Sequence, residues 1–314
     1  MFYNCENFFD IYNDSLKRDD DFTPEGVKHW TYKKYQEKLD HISTVITSVG
    51  GWQPPELVGL CEVENQYVLE DLTKRAPLKV FHYKIIHYES PDRRGIDVAL
   101  LYIPSKFHPI KTKKIPVVFP AGMGKPTRDI LYVEGLTTHN DTLHVFVNHW
   151  PSRWGGMLET EPKRNFVARL LRSKTDSILK TNKHAKIIII GDLNDFPTNK
   201  SCLDNFSHDF AHIKPNEIYD LSWYLQEVKG EWSHRFHGEE GILDQMMVSG
   251  SLLDTTASIY TTKDDAHIYK APFLLEKDPN NVGYIPFRTY IGMKYHGGYS
   301  DHLPAFLDLY YRKK

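Results

Sequence analysis

Cysteine is scarce in this chain: Cys5, Cys61 and Cys202 are the only three among 314 residues. They are too few and too scattered for a disulfide framework or a thiolate zinc site, and they read as buried, inert thiols. An excess of charge of one sign is also missing. Thirty-nine Lys and Arg stand against 41 Asp and Glu, a net charge of −2. No global field therefore draws the chain onto nucleic acid or anionic lipid, and a polyanionic substrate needs a local basic patch. No run approaches the roughly 18 apolar residues of a membrane span, and no leader-like segment precedes the first strand pattern. The chain is expected to be soluble, with no transmembrane segment. Its compartment is left open: cytoplasmic, or exported if a leader has been removed. No repeat, low-complexity tract or flexible linker interrupts the sequence, so residues 1–314 are expected to form one domain near the upper size limit. G-x-S-x-G, H-E-x-x-H and C-x-x-C are absent, which disfavours their chemistries. Gly122-Met123-Gly124-Lys125 imitates a P-loop, but the first glycine is misplaced and Pro126 sits where a Mg²⁺-binding hydroxyl belongs. It reads as a turn.

What is present is 40% hydrophobic and 25% charged, the composition of an ordinary globular protein. Tyr35, Leu39, Ile42, Ile46 and Val49 fall at steps of three and four, predicting an amphipathic helix over 31–49 closed by Gly50 and Gly51. A second helix is predicted over about 161–181, with Arg164 and Arg169 on its solvated side, and a short one over 65–75. Strand patterns occupy 1–5, 57–61, 83–88, 96–103, 131–138, 143–149, 186–191, 231–236, 243–248 and 305–311. Short polar turns such as Asn140-Asp141 predict antiparallel hairpins, so a layered α/β sandwich with mixed sheets fits best. Segment 250–299 has little periodicity and is expected to be a loop region facing substrate.

Several polar residues stand at the ends of apolar runs, where a strand delivers a side chain on a rigid support. Ile187 to Gly191 leads into Asp192 and Asn194; Leu57 to Cys61 leads into Glu62; Val145 to Val147 leads into Asn148, His149 and, beyond them, Arg153. Gly297-Gly298-Tyr299 leads into Ser300, Asp301 and His302. Each motif alone is also what a capped buried strand looks like. Together, Glu62, Asp192, Asn194, His149, Asp301 and His302 form an oxygen-rich set with two imidazoles and no cysteine. Such donors suit Mg²⁺, Mn²⁺ or Ca²⁺ better than zinc. Imidazoles beside a hard-metal carboxylate site are what phosphoryl chemistry requires. Arg93, Arg94 and Arg153 are the candidate phosphate-binding side chains. Trp150, Trp154, Tyr290, Tyr295 and Tyr299 are candidates for a stacking or apolar wall.

As a set, these motifs resemble the endonuclease/exonuclease/phosphatase superfamily, the deoxyribonuclease-I-like fold. The markers occur in family order: Asn4 in Phe2-Tyr3-Asn4-Cys5-Glu6-Asn7, Glu62 in Gly59-Leu60-Cys61-Glu62-Val63-Glu64-Asn65, Asn148-His149-Trp150, Gly191-Asp192-Leu193-Asn194, Leu243-Asp244-Gln245, and Ser300-Asp301-His302. The resemblance implies a four-layer α/β/β/α sandwich, with two mixed, mostly antiparallel sheets packed face to face, outer helices, and the active site at one end. It also implies a phosphoesterase dependent on a divalent metal, Mg²⁺ first, with Mn²⁺ or Ca²⁺ as alternatives. Glu62 then matches the principal metal ligand, with Asn4 beside it and Asp301 as a further ligand or an orienter of its neighbour. Asp192 and Asn194 orient and activate water. His302, paired with Asp244, contacts the scissile phosphate or acts as base; His149 binds a non-bridging oxygen or protonates the leaving group.

The favoured expectation is a nuclease-type phosphodiesterase acting on DNA, RNA or a smaller phosphodiester, with no obligate protein partner. The one dense basic cluster is Lys111, Lys113, Lys114, Lys125 and Arg128. Alternatives keep the chemistry and change the substrate, to a phospholipid head group as in sphingomyelinases or to an inositol or sugar phosphate. A third reading is a catalytically dead binding module, which predicts the loss of a central ligand; every motif position holds a competent residue.

Overall fold

Near-continuous apolar runs along the central strands decide the architecture, because successive side chains point to opposite faces and both faces are therefore buried. The computed structural model describes residues 1–51 and 53–312. The first sheet contains β1 (Phe2–Phe8), β2 (Leu57–Val63), β3 (Lys84–His87) and β4 (Asp97–Tyr102), with the strands Ala266–Ile268 and Ala305–Leu307. Their spatial order is 266–268, 305–307, β1, β2, β4, β3. The second sheet contains β5 (Phe107–Ile115), β6 (Ile130–Thr137), β7 (Thr142–His149), β8 (Lys186–Asp192), β9 (Ile218–Asp220) and β12 (Asp244–Ser249), in the order β5, β6, β7, β8, β12, β9. A separate hairpin joins β10 (His234–Phe236) to β11 (Glu239–Gly241).

Within the two sheets, β1 with β2 and β7 with β8 run parallel and the other pairings run antiparallel. A parallel pair needs a crossover. Helix α1 (Tyr32–Val49) supplies it for the first pair and α3 (Met157–Thr181) for the second, which puts one helical layer outside each sheet. The short α2 (Gln66–Lys74) packs with α1. Strand parity then sorts three cores. Tyr3, Cys5, Val58 and Leu60 face α1 and α2; Phe146, Ile187 and Ile189 face α3; Phe2, Cys61, Val145, Val147, Ile188, Ile190 and Met246 meet between the sheets. The expected four-layer sandwich of two mixed, mostly antiparallel sheets is what forms. Among the described residues no helix is long and apolar enough to cross a membrane.

Several expectations need correction. Strand β5 has no counterpart among the predicted strands, because its Lys111, Lys113 and Lys114 break the apolar pattern. It is a sheet edge, where lysines deter pairing with another chain. The final pattern over 305–311 is broken into Ala305–Leu307 and Tyr310–Tyr311, and 231–236 shortens to the β10 strand of a hairpin. Segment 250–299 holds strands of two or three residues, too short to show a period, and one of them extends the first sheet. Helix α3 starts at Met157 and accommodates Pro162 early in its length. Arg164, expected in solvent on α3, is fully buried and pairs with Asp195 through Nε–Oδ1 at 2.7 Å.

Candidate active site

The rows that fill the space between the sheets end in polar side chains at one end of the sandwich. Phe2 is followed two residues on by Asn4, Val145 and Val147 by His149, and Ile188 and Ile190 by Asp192; on the antiparallel β12, Val248 and Met246 lead back to Asp244. Ladder register sets His149 and Asp244 on either side of Asp192. Asn4 pairs with Cys61 across β1 and β2, next to Glu62. The carboxyl ends of all four parallel strands thus meet in one place, where an open sheet builds its sites.

Asp192 is the hub. Its Oδ1 accepts from the Asn194 backbone N–H (2.9 Å) and its Oδ2 from Asn4 Nδ2 (3.0 Å). His149 Nε2 lies 3.7 Å from Asp192 Oδ2 and 3.9 Å from Glu62 Oε1, and His302 Nε2 is 3.9 Å from the same Asp192 oxygen. His302 Nδ1 donates to Asp244 Oδ2 at 2.7 Å, and that oxygen also accepts from Ser233 Oγ at 2.7 Å. Glu62 Oε2 accepts from the Asn7 N–H (2.8 Å). Glu6, Asn7, Glu62 and Asn194 all hold a left-handed backbone, with φ of 45°, 57°, 58° and 51°. Backbone strain of this kind costs about 1–3 kcal/mol per residue and gathers at functional sites. For Glu62 it coincides with a register shift between Cys61 and Val63, which turns the carboxylate away from the strand's regular alternation.

Burial first, and then Asp244 and Glu62, push the Asp192 carboxyl up to about 7, against the pull of His302 and the Asn194 N–H. Burial, reinforced by the charges of Arg128, Arg94 and His302, holds His149 well below 6.5 and therefore neutral. Burial opposes a charge on His302 too, but Asp244, Asp192 and Asp301 outweigh it and raise that imidazole well above 6.5. A divalent cation fits this surplus of carboxylate. His149 Nδ1 and Asp244 Oδ1 are buried with no hydrogen-bond partner among the described residues, and the donors nearest Asp192 are oxygen and imidazole. Cys61 Sγ lies within 4.8 Å of ligand atoms of His149 and Asp192, but burial raises its thiol well above 9, so it stays protonated, in line with the expectation of inert thiols.

Of the residues singled out from sequence, Asn4, Glu62, His149, Asp192, Asn194, Asp244 and His302 come together. Asp301 sits on the flank, where its Oδ2 accepts from Arg288 Nη2 at 3.0 Å. Arg94 is exposed and close enough for its charge to reach His149; Arg93 is exposed, and its carbonyl accepts from the Arg18 N–H. Arg153 differs from a free phosphate clamp. Its Nε donates to the Asn194 carbonyl (2.8 Å), its Nη2 to Asn199 Oδ1 (2.9 Å), and its guanidinium stacks on Phe196. It braces the loop after Asp192. Arg128 leaves the surface cluster as well: it is buried and donates to Asp92 and to the Trp150 carbonyl. The aromatic wall does not form. Trp150 and Tyr290 are core, Tyr295 and Tyr299 are half-buried, and only Trp154 of the five is fully exposed.

Sequence reasoning missed five contributors. Glu6 accepts from the Thr289 N–H (2.6 Å), Arg288 links Glu6 to Asp301, and the buried Lys38 donates to Thr289 Oγ1 (2.6 Å) and the Tyr299 carbonyl (2.7 Å). Ser233 backs Asp244, and the His234 ring packs on His302 with centroids 4.8 Å apart. Lys38 sits on the apolar face of α1, an anomaly visible in the helical pattern; the other four carry no comparable signal.

A family model described as endonuclease/exonuclease/phosphatase family matches residues 1–311. No curated protein sequence matches the chain. Among solved structures, an endonuclease/exonuclease/phosphatase family protein from Bacteroides thetaiotaomicron is 14% identical, covering 99% of this chain and 97% of its own, with a TM-score of 0.60. A mannosyl-6-phosphatase from Bacteroides thetaiotaomicron VPI-5482 is 14% identical over 99% and 98%, with a TM-score of 0.57. D. rerio TDP2 humanized by 14 mutations is 15% identical over 87% and 91%, with a TM-score of 0.56. At these identities the likeness is one of fold.

Proposed function

The chain belongs to the endonuclease/exonuclease/phosphatase family, a family of metal-dependent phosphoester hydrolases, and from that premise we propose that it is a Mg²⁺-dependent phosphodiesterase of the nuclease type. The observation that carries the reading is the convergence of Asn4, His149, Asp192 and Asp244 at the polar end of the inter-sheet core, with the strained Glu62 3.9 Å from His149. Glu62 and Asn4 would hold the ion, and Mg²⁺ would neutralise the phosphate and polarise its ester bond.

The chain's own groups divide the remaining work. Asp192 is fixed by one hydrogen bond on each oxygen, and each oxygen keeps a lone pair to orient the attacking water and take its proton. His302, oriented by Asp244 and kept charged by its carboxylate neighbours, donates from Nε2 to a phosphate oxygen as negative charge grows there. His149, neutral and pinned at the end of β7, suits a hydrogen bond to a non-bridging oxygen better than protonation of a leaving group. Arg94 supplies exposed positive charge at the rim. The lysines of β5 favour a polyanionic substrate: the strand runs toward the catalytic end, where Ile115 pairs with Ile130 and Leu131 with Val147, two residues before His149.

A second reading, hydrolysis of a sugar or inositol phosphate, is favoured by the way nearby guanidinium groups are spent. Arg128, Arg153 and Arg288 are engaged by the protein's own acceptors, which leaves little free charge for a long backbone. A panel of plasmid DNA, RNA, abasic-site DNA, sphingomyelin, inositol phosphates, mannose 6-phosphate and bis-p-nitrophenyl phosphate, with Mg²⁺, Mn²⁺ or EDTA, separates the two. Cleavage of nucleic acid that EDTA abolishes, and that Asp192→Ala and His302→Ala each reduce by about 10²–10⁴, is expected. Turnover of monoesters alone would replace the first reading with the second, and full activity in both variants would sink the role assignment.

A further inference from the structure

A second set of metal-ligand side chains overlaps the groups assigned to hydrolysis at one residue, His302. His234, Asp301 and His302 each present one ligand atom, and these three atoms lie within 4.8 Å of one another. We propose that they form a separate transition-metal site of the Zn²⁺ class, and that filling it switches the enzyme off by occupying His302; the inhibitory half rests on the hydrolase reading above.

The backbone brings the set together. His234 and His302 are bridge partners in an antiparallel pairing, and their rings pack with centroids 4.8 Å apart. Asp301 is the residue preceding His302. The bond from His302 Nδ1 to Asp244, backed by Ser233, leaves Nε2 as the free nitrogen. An imidazole whose other nitrogen donates to a carboxylate is the usual form of a metal-bound histidine, with tautomer and ring plane already set. The His234 side chain makes no hydrogen bond among the described residues, so no partner has to be displaced from it. Asp301 engages Arg288 through Oδ2, which keeps its other oxygen for an ion. Bonds of about 2.0–2.1 Å put neighbouring ligands on a tetrahedral ion about 3.4 Å apart, so rotations of roughly one ångström close the set.

Donor chemistry separates this site from the first. Two imidazoles and one carboxylate favour Zn²⁺ or Co²⁺, whereas Glu62 and Asn4 offer the oxygen donors that Mg²⁺ prefers. Arg288 carries one positive charge against Glu6 and Asp301, both of which it contacts, so the pocket retains room for a dication. With its Nε2 lone pair on an ion, His302 has no N–H to offer the phosphate. Zinc then acts against hydrolysis even while Mg²⁺ occupies its own position.

Two measurements on the full chain test this. Protein stripped with EDTA and returned to excess Mg²⁺ is titrated with Co²⁺. Wild type is expected to show a visible absorption band of tetrahedral intensity that saturates near one equivalent, and His234→Phe, which keeps a ring in place, is expected to lose it. In parallel, the zinc concentration that halves Mg²⁺-supported hydrolysis of bis-p-nitrophenyl phosphate is expected to rise at least about tenfold in His234→Phe, each protein being compared with its own zinc-free rate. An unchanged band in the variant overturns the site. A lost band with unchanged zinc sensitivity overturns the inhibitory role. If no phosphoester is turned over at all, the hydrolase reading fails and the cobalt titration alone judges the site. Should His234→Phe fail to fold, X-ray absorption on wild type with one equivalent of zinc decides: two imidazole ligands support the site, and an oxygen-only shell overturns it.

Discussion

Glu62 carries its carboxylate on a left-handed backbone, φ 58°, that favours glycine and strains glutamate. Glu62→Gly and Glu62→Ala both remove the proposed metal ligand and the acceptor of the Asn7 N–H, so the difference between them isolates the backbone. The glycine variant is expected to be the more stable by about 1 kcal/mol, measured by chemical denaturation, while both lose metal-dependent activity. Ser233 offers a similar separation of roles. Its Oγ donates to Asp244 and accepts from the N–H groups of Leu243 and Asp244, all of them buried. Ser233→Ala is expected to cost about 1–3 kcal/mol of stability and to loosen His302, lowering kcat more than it raises KM in steady-state assays. Glu62, His149 and Asp192 were legible because each stands at the end of an apolar run, as Asp192 does after four isoleucines and a glycine, His302 because it follows a glycine pair, and Asn4 and Asp244 through the family resemblance. Ser233, His234 and Arg288 were not. Ser233 and Arg288 reach the site from irregular segments, and His234 from a strand of only three residues, too short for a period to mark which way a side chain points.

The two elements that frame the site meet at Gly191. A β-carbon there would lie 2.5 Å from the Asn148 carbonyl oxygen and 2.6 Å from the Asn148 β-carbon, on the neighbouring strand one residue before His149. Gly191→Ala must therefore spread β7 from β8, the pair that sets the spacing of His149 and Asp192. A loss of about 1–3 kcal/mol accompanied by a fall in kcat is expected. A variant that loses stability and keeps full kcat would show that this spacing does not govern turnover. The strands and helices that make up the parallel pairs and their crossovers were readable as elements at 1–5, 31–49, 57–61, 143–149, 161–181 and 186–191, whereas their parallel pairing emerges only in the structure. Strand β5 escaped because an edge strand has one flank in solvent and tolerates lysine. The buried Arg164 escaped because its partner Asp195 lies on a distant loop, and helical spacing alone cannot distinguish a buried ion pair from a solvated face.

For the whole molecule, proton binding and metal binding compete for the same carboxylates. In the metal-free protein Asp192 is raised to about 7, against about 3.9 in an unfolded chain, so its contribution makes stability fall as pH climbs from about 4 to 7. His302, raised above 6.5, contributes stability that is full below about 6.5 and is lost as pH rises through its higher folded value. Both groups bind protons more tightly in the fold, and the signs agree. Between about pH 5 and 8 the melting temperature of EDTA-treated wild type is expected to decline more than that of Asp192→Asn, and saturating Mg²⁺ is expected to reduce the difference.

The most direct test of the account is Mn²⁺ binding followed by electron paramagnetic resonance, in wild type and in Glu62→Gln, with Mg²⁺ as competitor. Wild type is expected to bind an ion that excess Mg²⁺ releases, with affinity at least about tenfold weaker in the variant. Mn²⁺ that fails to bind, or that binds equally well without the Glu62 carboxylate, would contradict it.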